Sequence, residues 1–423
     1  MRKYFMNKVA KKLSGTFVLN KDQPIHRWYP YTEGFSFQFV QHELDNLDIE
    51  VNSIYDPFGG CGTTPLVASE NGITSYFSEV NPFMAFVCDT KINVSRRVYQ
   101  KFEIVEEQIN KLLSAFNDSF LFNENVQKLE NNYNDIFNSP IVEFDGFEKY
   151  FHDDVLRKIL YIQNLIEVYC KDSDSKSLSE LALASIAVFV SKMIRRGDLR
   201  YATEKEKKPE DFDVYRQFTC KINEILEDIK IVGGNLKSDA LLASYDAREI
   251  NMEDKVDVVI TSPPYLNGTN YIRNTKIELK LTKFIKTESD LPMFHTKGIM
   301  AGINNVSKRR KIPSNQIPDY IRKYVEKLEP ISYDKRIPQM VAGYFYDMGI
   351  VIERLSKVLR KGGKFILDIG DSQFAGVHIP THELLERLAW ERGFHIYDNE
   401  ILRSRKSKNG MVLTQRVLRF CLR

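Results

Sequence analysis

The stretch Thr261-Ser-Pro-Pro-Tyr265 puts three chemically useful groups on one short backbone. Pro263 and Pro264 fix their own φ angles, so their neighbours are held on a stiff turn. A Ser262 oxygen and the Pro263 carbonyl are both acceptors, suited to gripping the two hydrogens of an aromatic amine. Tyr265 offers a flat face on which a base can stack. A second stretch, Asp56-Pro-Phe-Gly-Gly-Cys-Gly-Thr-Thr64, carries Gly59, Gly60 and Gly62 close together. Such a backbone turns tightly and approaches a ligand closely, and Thr63 and Thr64 can cap a helix opening near Pro65. Glu79 closes the next strand-like run, where an acid at the tip of a second strand accepts hydrogen bonds from ribose hydroxyls. Asp246 stands where a third strand would end. Taken singly, each motif also reads as an ordinary proline turn, glycine turn or solvated loop charge.

Several elements must hold these groups. Val256 and Val258–Ile260 form a β-branched run that reads as a buried parallel strand feeding the proline loop. In open α/β sheets, ligands sit beyond the carboxyl ends of such strands. Further strands are expected over Val51–Tyr55, Ser75–Val80, near Leu241, and over Lys364–Gly370. Phe394–Leu402 and Met411–Leu422 pair as a C-terminal antiparallel hairpin. Apolar spacing predicts helices over Glu33–Leu44, Met340–Leu359 and Thr381–Arg392. From about Val98 to Val232 the pattern turns helical, with Val98–Phe116, Val155–Tyr169, Leu178–Ile194 and Phe212–Ile229 and no strand. Asn131–Asp135 and Lys171–Ser177 are its loop-like joints. Residues 266–335 contain helical patterns at Tyr271–Ile285 and Pro318–Leu328, and the basic run Lys308-Arg-Arg-Lys311.

The chain has 423 residues, 43% of them hydrophobic, which is ample for a core. A net charge of +3 announces no global field, so any basic surface must be local. Five cysteines lie far apart without a C-x-x-C pair, which argues against a disulfide framework or structural zinc and suits a reducing cytoplasm. Met1–Asn20 is basic without the apolar run of a secretory signal. Leu181–Val190 is too short to span a bilayer. A cytoplasmic protein with no membrane partner and no metal is expected.

The paired motifs Asp56–Thr64 and Thr261–Tyr265 resemble the signatures of the DNA amino-methyltransferases, which methylate the exocyclic nitrogen of cytosine or adenine with S-adenosylmethionine. The Tyr29-Pro-Tyr31 and Phe35-Ser36 segment is similar to the family's lead-in to the glycine loop. The likeness covers roughly 28–93, 241–285 and 340–423. It implies a Rossmann-like α/β methyltransferase sheet with a large helical insertion and the C-terminal hairpin. Catalytic segments would be 1–97, 236–285 and 336–423, with 98–235 a helical DNA clamp and 286–335 a target-recognition segment. Phe35, Ser36, Asp56, Phe58, Gly59, Gly60, Gly62, Thr63, Thr64, Glu79 and Asp246 would bind the cofactor, Asp246 through the adenine amine. Ser262, Pro263, Pro264 and Tyr265 would form the target-base pocket.

The implied partners are double-stranded DNA and a cognate restriction endonuclease. Ser262, where adenine enzymes more often carry Asp or Asn, tilts the likeness toward cytosine-N4, with adenine-N6 the alternative. An RNA guanine-N2 methyltransferase shares a similar glycine loop and Pro-Pro-Tyr. The missing G-x-G-x-x-G counts against a dinucleotide oxidoreductase, and the absence of Pro-Cys against a cytosine-C5 enzyme. The methionine-site motif precedes the catalytic one by a long interval, which fits no simple motif-order class and leaves the base-reading segment open. Lys192, Arg195, Arg196 and Arg200 are candidate phosphate contacts. Asn304, Asn305, Lys308, Arg309, Arg310, Asn315 and Gln316 are candidate base readers.

Overall fold

The computed structural model describes residues 14–423 except 32, 119–141, 207, 267–270, 307–309, 311 and 408. In chain order the strands are β1 (Ser53–Asp56), β2 (Thr74–Ser78), β3 (Met193–Arg196), β4 (Asp198–Tyr201), β5 (Ala240–Ser244) and β6 (Val256–Thr261). They continue with β7 (Leu359–Gly370), β8 (Ser372–Phe374), β9 (Val377–Ile379), β10 (Phe394–Lys406) and β11 (Val412–Leu422). Seven of them form one sheet in the order β10-β11-β7-β6-β1-β2-β5. The five strands from β7 to β5 run parallel, and the two C-terminal strands are antiparallel. This is the mixed α/β methyltransferase sheet with its terminal hairpin that the motifs led us to expect.

The chain builds outward from β1 through β2 to β5, then returns to lay β6 against the other side of β1. Ile54 and Tyr55 pair with Val258 and Val259. The reversal makes β1/β6 the topological switch point, where a crevice opens beyond the strand ends. Every residue of β6 is buried, as its β-branched run predicts. Alternate positions divide between the two faces. Ile54, Val258, Ile260 and Ile366 pack with Phe39, Val40, Val67 and Ala68 from the helices Phe37–Asp45 and Thr63–Glu70. Tyr55, Val259, Phe365 and Leu367 pack with the helices Ile337–Val358 and Thr381–Trp390.

The segment from 98 to 232 folds mainly as helices, at Phe102–Asp118, Asp153–Tyr169, Ser173–Val190 and Val214–Val232. Two details differ from the periodicity. The third helix starts early because the Asp172 side chain caps Asp174 and Ser175. It also ends at Val190, and residues expected to continue it form the β3–β4 hairpin around Gly197, whose φ is +81°. The Asn131–Asp135 joint lies outside the described residues. This layer is stitched to the N-terminal segment through the buried Asp228 carboxylate, which accepts from Ile25 N, Trp28 Nε1 and Arg27. Trp28, Phe83, Ile92 and the four helices share one apolar core.

The expected helix over Tyr271–Ile285 breaks at Thr275 into Tyr271–Asn274 and Lys276–Leu281. The Thr275 hydroxyl, bonded to the Tyr271 and Ile272 carbonyls and accepting from Asn81 Nδ2, competes with the backbone ladder there. Among the described residues no helix is long and apolar enough to cross a membrane.

Candidate active site

Asp56 and Thr261 end the two strands of the switch point, and the Thr261 hydroxyl donates to Asp56 Oδ1 at 2.6 Å. That bond fastens the glycine loop to the proline loop. Two clefts open on either side of the junction. The first encloses about 1120 Å³ including its mouth and is lined by Asp56, Phe58, Gly60, Glu79, Ser262 and Pro264, among others. The second, about 2030 Å³ including its mouth, is lined by Tyr265, Asp368, Arg403 and the tip of the β10–β11 hairpin. Glu33, Gly34 and Tyr271 border both. Residues 262–265 are therefore the partition between two adjoining spaces.

In the first cleft the three glycines do different work. Gly60 has φ +51°, and a Cβ there would lie 3.1 Å from the Tyr31 ring, on the cleft side. Gly62 has φ +83°, and its Cβ would meet Cys88 Sγ at 2.7 Å, so it serves packing against the helix Pro82–Asp89. Gly59 likewise presses on Phe77. Glu79 uses both oxygens to tie the loop down, accepting from Gly60 N at 2.8 Å and Asn81 N at 2.9 Å. Each carboxylate oxygen retains acceptor capacity for a ligand hydroxyl. Burial pushes the Glu79 carboxyl up to about 7, with the Asn81 and Gly60 amides pulling the other way. Burial also raises Asp56 to about 6, against the hydrogen bonds from the Thr261 hydroxyl and Phe58 N.

In the second cleft the Tyr265 hydroxyl donates to Asp368 Oδ2 at 3.2 Å. Gln415 Nε2 donates to both Asp368 oxygens at 2.8 Å, and Arg403 Nε donates to Gln415 Oε1. A Cβ on Gly370 would lie 3.0 Å from Tyr265 Cε2, so the ring rests against that bare backbone. The ring is thus fixed at its hydroxyl and along one side. Burial pushes the Asp368 carboxyl up to about 7.

The remaining expected site residues divide. Phe35 and Thr63 line the first cleft with Asp56, Phe58, Gly59, Gly60 and Glu79. Thr64 and Pro263 are buried behind it. The Ser36 hydroxyl caps the helix Phe37–Asp45 through Phe39 N. The Asp246 carboxylate is forked by Arg248 at 2.9 and 2.6 Å, and its neighbour Ala247 lines the cleft. Tyr271, Lys297, Ile299 and Ala301, which the motifs did not single out, also line it, together with Tyr31 of the lead-in segment and Asn305, which was a candidate base reader.

Two half-buried arginines expected at the surface are tied to buried acids. Arg195 pairs with the buried Glu278 at 2.5 Å and also donates to the Tyr29 hydroxyl and the Asn274 carbonyl. Burial around this network makes Arg195 part of the fold and removes it from the candidate phosphate contacts. Arg310 donates to Asp347 and to the Gly298 carbonyl, while Met300 N donates to Asp347 Oδ2. Together these bonds pin part of 286–335 against the helix Ile337–Val358. Lys308, Arg309 and Lys311 lie outside the described residues. Among the described residues, no group of His, Cys, Asp and Glu side chains is arranged to hold a metal ion.

No protein-family model matches the chain. It is similar to Type II methyltransferase M.BsoBI of Geobacillus stearothermophilus, 24% identical over 93% of this chain and 83% of that protein. Type II methyltransferase M.AvaI of Nostoc sp. is 23% identical over 96% of this chain and 87% of its own. Type II methyltransferase M.MvaI of Kocuria varians is 19% identical over 93% and 88%. These likenesses cover most of the chain, and with the α/β sheet they support a restriction-modification DNA methyltransferase family for it.

Proposed function

We propose that the protein transfers a methyl group from S-adenosylmethionine to the exocyclic N4 of a cytosine flipped out of double-stranded DNA, as the modification partner of a restriction endonuclease. The observation that carries the reading is the junction itself: residues 262–265 part a cleft lined by the glycine loop and Glu79 from a groove holding a fixed aromatic ring. The first cleft fits the cofactor in chemistry. Gly60 leaves room beside Tyr31, Glu79 keeps lone pairs for ribose hydroxyls, and Phe35, Phe58, Val80 and Ile299 supply an apolar wall for a purine. When bound, S-adenosylmethionine supplies an electrophilic sulfonium methyl.

The chain's own groups do the rest. A base inside a duplex is out of reach, so the target is extruded into a pocket. Tyr265, braced by Asp368 and Gly370, stacks on it, which is worth roughly 1–3 kcal/mol per base. The Ser262 oxygen and Pro263 carbonyl accept the amine hydrogens and turn the nitrogen lone pair toward the first cleft. Most of the acceleration then comes from orientation. We assign catalysis to 1–97, 236–285 and 336–423 and a buttressing role to 98–235. Segment 286–335 forms part of the cofactor wall and faces the DNA.

The test is to incubate purified protein with methyl-labelled S-adenosylmethionine and plasmid DNA and to identify the labelled nucleoside. We expect 4-methylcytosine. Label in 6-methyladenine overturns the cytosine assignment, and label entering structured RNA in place of DNA overturns the substrate.

A further inference from the structure

Arg403, Arg405 and Lys406 lie at the distal end of β10 and line the second cleft with Tyr265. Arg403 and Arg405 are two residues apart in a strand, so they share a face. The acids nearest them are already engaged. Asp368 accepts from Gln415 and Tyr265, and Asp371 accepts from Thr414 and pairs with His382 at 2.6 Å. Arg405 and Lys406 are exposed and make no ion pair with any described residue. Tyr333, 75% exposed, lines the same groove. Cations and exposed aromatic rings lining one groove are the chemistry of a nucleic-acid backbone channel. Its floor is the tyrosine against which the target base would stack.

Resting on the function proposed above, we infer that this groove seats the DNA strand carrying the target base, with the β10–β11 hairpin gripping its phosphates. The C-terminal hairpin, and not the helical layer, is then the phosphate clamp. The layer's arginines support that contrast: Arg195 is buried in an ion pair, and Arg196 and Arg200 both pair with Glu206. Arg403 also links the clamp to the pocket, because its bond to Gln415 continues through Asp368 to Tyr265.

The experiment measures binding of the full-length protein to a duplex of unrelated sequence, by fluorescence anisotropy across a salt series. Each phosphate contact contributes a slope of about −0.9 to log K against log salt. Arg405→Ala with Lys406→Ala should flatten that slope by about two units and weaken all duplexes alike, with unchanged binding of S-adenosylhomocysteine. Arg196→Ala with Arg200→Ala should leave the slope at its wild-type value. A hairpin variant with the wild-type slope, in a protein that still binds and methylates DNA, overturns the clamp alone. Flattening by the helical-layer variant instead moves the clamp there. A wild-type protein that binds S-adenosylhomocysteine but no DNA overturns the substrate reading.

Discussion

The two clefts that meet at residues 262–265 are built by opposite means. The first is made of backbone: glycine amides, a carboxylate holding two N–H groups, and strand ends tied by one side-chain bond. The second is made of side chains from distant strands, with Tyr265 on the proline loop, Asp368 on β7, and Gln415 on β11. A site shaped by glycine backbone is most sensitive to added volume and altered φ. A side-chain-lined site behaves the other way, because each group is placed by hydrogen bonds that a single truncation removes.

Disturbing the second cleft without touching the first is the strongest test of that division. Tyr265→Ala should lower turnover on DNA on the order of 100-fold, the scale of losing a stacked and oriented base. Gln415→Ala leaves the ring present but removes the contacts to both Asp368 oxygens that brace it, and a loss of about tenfold is expected. Both variants should bind S-adenosylhomocysteine within a few-fold of wild type by calorimetry. If Gln415→Ala turns over as fast as wild type, the Asp368 brace has no role in positioning. If either variant loses the cofactor, the two clefts are not separable.

A smaller effect sharpens the account of the first cleft. Burial raises the free Glu79 carboxyl to about 7, so below that pH it holds a proton. Ribose hydroxyls donate to the ionised form, and that proton must leave when the cofactor binds. Affinity should therefore fall as pH drops below about 7, by up to about tenfold per unit, and level off above it. Asp56, raised to about 6 in the same cleft, adds a further loss at lower pH. Glu79→Gln should bind more weakly and lack the upper step. A variant that keeps that step would assign it to another group.

The first cleft was largely legible in the sequence because its parts are contiguous. Asp56–Thr64 and Ser262–Tyr265 each specify a strand end, a turn and the groups on it. The division of labour within the glycine loop was not legible, since only tertiary packing separates Gly60, beside Tyr31, from Gly62, against Cys88. The second cleft was hidden for a related reason. Asp368 stood inside the apolar run Lys364–Gly370, and an acid at a buried strand's carboxyl end was its signal, but Gln415 reaches it only through β11–β7 pairing. Charge misled most. Arg195 and Arg310 read as surface cations until Glu278 and Asp347 proved to be their buried partners. The break at Thr275 and the β3–β4 hairpin were likewise decided by single side-chain bonds and one left-handed glycine, too local for apolar spacing to register.

The central claim is that one loop parts a cofactor site from a DNA site. It is tested most directly by titrating three proteins with two ligands: wild type, Gly60→Val, and Arg405→Ala with Lys406→Ala, each with S-adenosylhomocysteine and with a DNA duplex. Gly60→Val places a branched side chain at φ +51° beside Tyr31, and should abolish cofactor binding while keeping the DNA salt slope. The hairpin variant should do the reverse. Wild-type cofactor affinity in Gly60→Val, or loss of both ligands in either folded variant, would contradict the claim.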